Sequence, residues 1–139
     1  MSDVQRERMD MLTSYEAPHN LPVIQFAKLA GKSRDQINRE IKAGKLLTLS
    51  MGNRGQRIPD WQLDPIKSQL TNALMKKAHG FDVWDLYRAL IQTSEKLNKR
   101  SPVDAVTTEN LEEVVAVVYD LLRKGENINT MAFVQCARP

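Results

Sequence analysis

Between positions 34 and 39 the chain carries side chains whose groups match the edges of base pairs. Arg34 and Arg39 bring forked donors that suit guanine, and Gln36 and Asn38 bring amides that suit adenine. Lys32, Ser33 and Lys42 flank them with the charge or hydroxyl that a phosphate accepts. Asn53, Arg54 and Arg57 form a second polar group nearby in sequence. From Lys28 to Arg57 eight basic residues stand against two acidic ones, a net charge of +6 where the whole chain carries +3. Such a local excess is what contact with a polyanion requires.

These side chains need a frame, and the spacing supplies one. Ser33 stands three residues before Gln36, a capping-box interval that starts a helix. Ile37 and Ile41 lie four apart and share one face, so Arg34, Gln36, Asn38, Arg39 and Lys42 fall mostly elsewhere. Gly44 marks the end of that helix. A shorter helix precedes it, with Pro22 in its first turn and Val23, Ala27 and Ala30 at buried spacing. Gly31, Lys32 and Ser33 make the turn between the two, which predicts a helix-turn-helix. Past Gly44 the period becomes two: Leu47, Leu49 and Met51 alternate with Thr48 and Ser50. Gly52 to Gly55 reads as a turn, Gln56 to Ile58 as a returning strand, and Pro59 as its end at a sheet edge. The expectation is a β-hairpin wing with Arg54 at its tip.

Val23, Ala27, Gly31, Ser33, Ile37, Ile41, Gly44 and Leu46 stand where MerR-like and excisionase-like winged helix-turn-helix domains carry their hydrophobic and turn positions. The run Arg57-Ile58-Pro59-Asp60-Trp61-Gln62 also resembles the end of the wing in small bacterial regulators of this kind. The resemblance covers about 40 residues. It implies a domain that sits on double-stranded DNA.

The expected organisation is mainly α: an arm over 1–20, a winged helix-turn-helix with a small β-hairpin over 21–63, and a helical domain over 64–139. In the arm Val4, Met11, Leu12 and Tyr15 are too sparse to specify an amphipathic helix, so it reads as frayed, or as a segment that packs on a partner subunit or enters a groove, where Arg6 and Arg8 would touch the phosphate backbone. Asp64 and Pro65 start a helix that runs to about Ala78, and Asp82 caps the next. Ser101-Pro102 begins one helical turn, and Thr107 or Thr108 caps a last helix that Gly125 stops. Its face of Leu111, Val114, Val118 and Leu121, with Trp84, reads as a homodimer or partner interface. The tail with Ile128, Met131, Phe133 and Val134 reads as a strand or an apolar strap. From Trp61 onward the ten basic and ten acidic residues balance, which suits a protein partner better than DNA.

The stretch from Leu97 and Asn98-Lys99-Arg100 through Ser101-Pro102-Val103-Asp104-Ala105-Val106, followed by a hydrophobic helix, resembles the C-terminal domain of the Xre/MbcA/ParS antitoxin group. That group usually carries a glycine where this chain has Asn98. The resemblance implies dimerisation and a partner toxin.

The sequence offers little to an enzyme. His19 and His79 stand far apart, and Cys136 is the single cysteine, so neither a metal cluster nor an internal disulfide is expected. No GxxxxGK loop or nucleophile–base motif is present, and no cofactor is expected. A mean hydropathy of −0.44 and a polar, mixed-charge start argue for a cytoplasmic protein with neither a membrane span nor a secretory leader. The reading is a sequence-specific DNA-binding transcriptional regulator acting as a homodimer. The alternatives are an antitoxin that neutralises a toxin and regulates its own operon, or an excisionase-type architectural protein of a mobile element.

Overall fold

In the computed structural model residues 3–137 are described, residue 7 and those from 125 onward by backbone alone. The chain is mainly helical, with seven α-helices and a three-stranded antiparallel sheet among the described residues. It divides into two compact units, Met1–Asn72 and Ala73–Pro139, and the division falls inside a helix.

The first unit begins with helix α1 (Asp3–Tyr15), where the sequence reads as a frayed arm. What the sparse apolar pattern conceals is an anchor at the helix end. Tyr15 is buried, and its hydroxyl donates to the carbonyl oxygens of Arg54 and Gly55, both at 2.9 Å. The buried Asn20 side-chain amide donates to the Ser14 carbonyl and fixes the turn that leaves α1.

Strand β1 (Asn20–Pro22) follows, then α2 (Val23–Ala30), α3 (Arg34–Lys42), β2 (Leu49–Ser50) and β3 (Gln56–Pro59). The sheet order is β1-β3-β2, so a third strand joins the expected hairpin. This changes the roles of two prolines. Pro22 is not in the first turn of a helix; it ends β1 in extended conformation (φ −57°, ψ 152°). On an edge strand its missing N–H costs the ladder little. Pro59 is not at a sheet edge, because β3 is the central strand and Pro59 faces Asn20 across the ladder. The pairing continues beyond it through the Asp60 N–H to the His19 carbonyl at 2.8 Å.

Burial explains the register. Leu21 of β1 faces Ile58 of β3, and both are in the core cluster with Phe26, Ala27, Ile37 and Leu46. Val23, Ala30 and Ile41 pack against that cluster. A shift of one residue would turn Ile58 away from this cluster and Arg57 toward it. After β3 a 3₁₀ turn (Asp60–Leu63) leads into α4 (Pro65–Lys77). Asp64 caps α4 as expected, its carboxylate accepting from the Ile66 and Lys67 N–H groups. The buried Gln62 pairs with both backbone groups of Leu47, donating to its carbonyl at 2.9 Å and accepting from its N–H at 2.7 Å. A side-chain amide thereby does for the loop after α3 what a neighbouring strand would do.

In the second unit Asp82 caps α5 (Val83–Ile91), and Ser101 caps the short α6 (Pro102–Ala105), both where the sequence places them. Helix α7 spans Leu111–Ala137. Its start lies later than a Thr107 or Thr108 cap would put it. Thr107 instead exchanges hydrogen bonds with Asn110 in a turn ahead of the helix, and the Val114 N–H reaches the Asn110 carbonyl. Gly125 does not stop it, contrary to expectation: the backbone stays helical past Gly125 to Ala137, so the tail with Ile128, Met131, Phe133 and Val134 continues the helix where the sequence reads a strand or a strap. Helix α5 packs on α6 and α7. Asn98 has φ 58°, a left-handed conformation that glycine and asparagine adopt most readily, so asparagine meets here the demand a glycine would meet. Among the described residues no helix is long and apolar enough to cross a membrane.

Candidate nucleic-acid interface

Helix α3 is held by its ends and one buried side chain. Ser33 is the N-cap, its hydroxyl accepting from the Gln36 N–H at 3.1 Å. The preceding Gly31 takes φ 70°, a left-handed conformation that lets α2 stop and the chain turn into α3. Ile37 is fully buried, and Ile41 packs against the same core. These contacts leave Arg34, Gln36, Arg39 and Lys42 exposed and Asn38 half-buried. Five side chains able to donate hydrogen bonds thus share a short helix with one acidic neighbour exposed beside them, Asp35. Lys45 is exposed just past the helix.

Lys32 is less free than the sequence suggests. Its ammonium lies 3.1 Å from both carboxylate oxygens of Glu40. That pair bridges the turn before α3 to the helix's second turn, and it offsets the charge Lys32 would offer a phosphate.

The turn between β2 and β3 exposes Asn53 and Arg54. Arg54 lies 3.8 Å from Glu16, a pair open to solvent that competes weakly with any other anion. Arg57 has a different place from the one its sequence position suggests. It is half-buried on β3, its guanidinium 4.8 Å from the centre of the Tyr15 ring, with one N–H donating to the Asn20 carbonyl at 3.5 Å. It is the clamp between α1 and the sheet, not an open contact residue. Tyr15 and Arg57 therefore form the support beneath the turn that presents Arg54. Sequence reasoning missed Tyr15 because a lone aromatic in a polar segment shows no period. The turn-forming run Ala17-Pro18-His19-Asn20, one residue further on, was the available signal.

Three of the five residues expected at a dimer or partner interface are covered within the chain itself. Trp84, Val114 and Val118 are buried within the single chain, and Leu111 and Leu121 are half-buried. Trp84 meets Tyr87 edge to face at 5.9 Å. An amphipathic stripe reports that a face is covered and does not say by which molecule; here it is covered by the chain's own helices. On the solvent side of α7, Asp120 accepts from Lys96 at 3.2 Å and pairs with Lys124 at 3.1 Å. The Lys124 and Lys96 ammonium groups hold the Asp120 carboxyl below the usual aspartate range, and Asp120 raises Lys124 in return.

The chain matches no family model, no curated protein and no solved structure.

Proposed function

We propose that the first unit is a winged helix-turn-helix module that binds double-stranded DNA and reads its sequence, so that the protein acts as a transcriptional regulator. In this reading α3 enters the major groove, with Arg34, Gln36, Asn38 and Arg39 offered to base edges and Lys42 and Ser33 to the backbone. Arg54, at the tip between β2 and β3, contacts phosphate or the minor groove. One observation carries the reading. Helix α3 is capped and pinned through Ile37, and the face turned to solvent holds Arg34, Gln36, Arg39 and Lys42 together. A helix whose outer face served only solubility would have no need of this donor set on so firmly fixed a frame.

The test is binding of the full chain to duplex DNA of random sequence, followed by selection of the tightest sites. The reading expects a defined motif to emerge. It also expects the logarithm of affinity to fall linearly with the logarithm of salt concentration, by about 0.9 per phosphate contacted. In Arg54→Ala that slope becomes shallower by roughly one unit while the selected motif stays the same. Absence of any enriched motif would remove the sequence-reading claim, and absence of salt-dependent binding would remove the DNA claim altogether.

A further inference from the structure

The turn that presents Arg54 is poorly supported by its own hairpin. Strand β2 is two residues long, and it pairs with β3 through Leu49 and Ser50. Gly52 (φ 55°) and Gly55 (φ 92°) stand on either side of the tip in left-handed conformations, which glycine reaches without strain but holds at a high cost in entropy. Inside the turn the Arg54 N–H bonds the Met51 carbonyl at 3.1 Å. A glycine-bounded tip on so short a ladder is not self-supporting in water.

Support reaches it from the end of α1. Tyr15 is only 2% exposed, and its hydroxyl donates at 2.9 Å to the carbonyls of both Arg54 and Gly55, the two peptide groups that set the direction of the tip. The Arg57 guanidinium over its ring keeps that hydroxyl from following a moving turn. Glu16, the next residue, faces the Arg54 guanidinium at 3.8 Å. The end of α1 thus holds the backbone of the tip through a buried group and its side chain through an exposed one. The exposed pair contributes little. The buried hydroxyl matters more, because burial raises the cost of losing its acceptors.

We propose that Tyr15 is a positioning residue for the wing: its hydroxyl preorganises the Arg54–Gly55 backbone, so that Arg54 meets a phosphate without the turn having to be ordered at the moment of binding. The proposal rests on the DNA reading given above and names the residue behind one of its contacts. Ordering a loose segment on binding lowers affinity but leaves the same charges neutralised. Loss of the hydroxyl and loss of Arg54 therefore leave different signatures. The first weakens binding at an unchanged salt slope, whereas the second makes the slope shallower.

Tyr15→Phe in the full chain is the test, since it keeps the ring beside Arg57 and removes the hydroxyl alone. One measurement needs no DNA. Amide exchange followed by NMR has the Arg54 N–H exchanging about threefold faster or more in the variant, while the amides of α3 keep the parent's rates. An Arg54 rate equal to the parent's, or an acceleration shared equally by α3, overturns the proposal. The other measurement is affinity for duplex DNA across a range of salt. Tyr15→Phe weakens binding by about threefold or more for every sequence alike, at the parent's slope. In an Arg54→Ala background it weakens binding no further. Glu16→Gln does not reproduce the loss, because it frees the guanidinium and spares the bonds to the backbone. A loss that persists undiminished in the Arg54→Ala background, or a slope as shallow as that of Arg54→Ala, overturns the positioning role. A parent chain without salt-dependent binding defeats the DNA reading instead, and the exchange rates still decide whether Tyr15 holds the turn.

Discussion

Replacing Arg57 by alanine separates a supporting role from a DNA-contacting one. The guanidinium lies 4.8 Å from the Tyr15 ring centre, half-buried, where a cation over an aromatic face contributes about 1–2 kcal/mol. Its bond to the Asn20 carbonyl, at 3.5 Å, sits at the long limit and adds about 0.5 kcal/mol or less. Loss of the aliphatic stem's packing adds a similar amount, so the expected destabilisation is about 2 kcal/mol. A phosphate contact would leave another signature: unchanged stability and a salt slope shallower by about 0.9. The assay is urea unfolding of parent and Arg57→Ala, alongside the salt dependence of DNA affinity under conditions where both are folded. The expected result is a lower urea midpoint with an unchanged salt slope. A cycle with Tyr15→Leu isolates the pair, and a coupling of about 1 kcal/mol is expected. Parent-like stability together with a shallower slope would refute the assignment of Arg57 to the Tyr15 clamp.

Two other expectations concern the second unit. Val118 is fully buried, so Val118→Asp places an unpaired carboxylate in the core and unfolds that unit; near-parent helicity with only a change of oligomeric state would contradict its place there. Asp120 titrates below the usual aspartate range at low salt, and its midpoint moves back toward that range as salt rises, as carboxyl chemical shifts would record. Because the folded-state value is depressed, the Asp120 pairs stabilise the protein above the ordinary aspartate range, and that contribution is lost as pH falls through the folded value. A salt-independent midpoint would argue against the two lysines as its cause.

Local signals in the sequence carried most of the helical frame. Ser33, Asp64, Asp82 and Ser101 each cap the helix their position announces, since a cap depends on a few adjacent residues. What escaped was non-local. Strand β1 is three residues long and exists because Leu21 meets Ile58, some 37 positions away; no window around Asn20 contains that partner. Tyr15 joins backbone carbonyls beyond position 50 through one hydroxyl, a bond without periodicity. The same limit applied to the candidate site. That Arg34, Arg39 and Lys42 face solvent followed from the spacing of Ile37 and Ile41. That Lys32 binds Glu40 and Arg57 stacks on Tyr15 did not, because charge counts carry no geometry. Trp84, Val114 and Val118 show the converse case: periodicity found the buried stripe but could not name what buries it.

The central claim is that the exposed face of α3 reads base pairs. Its most direct test is selection from a random duplex pool with the parent chain, Arg34→Ala and Arg39→Ala in parallel. The account predicts one enriched motif for the parent, with each variant losing preference at a particular base pair and about 1–3 kcal/mol of specific affinity. Identical motifs and affinities from all three proteins would contradict it.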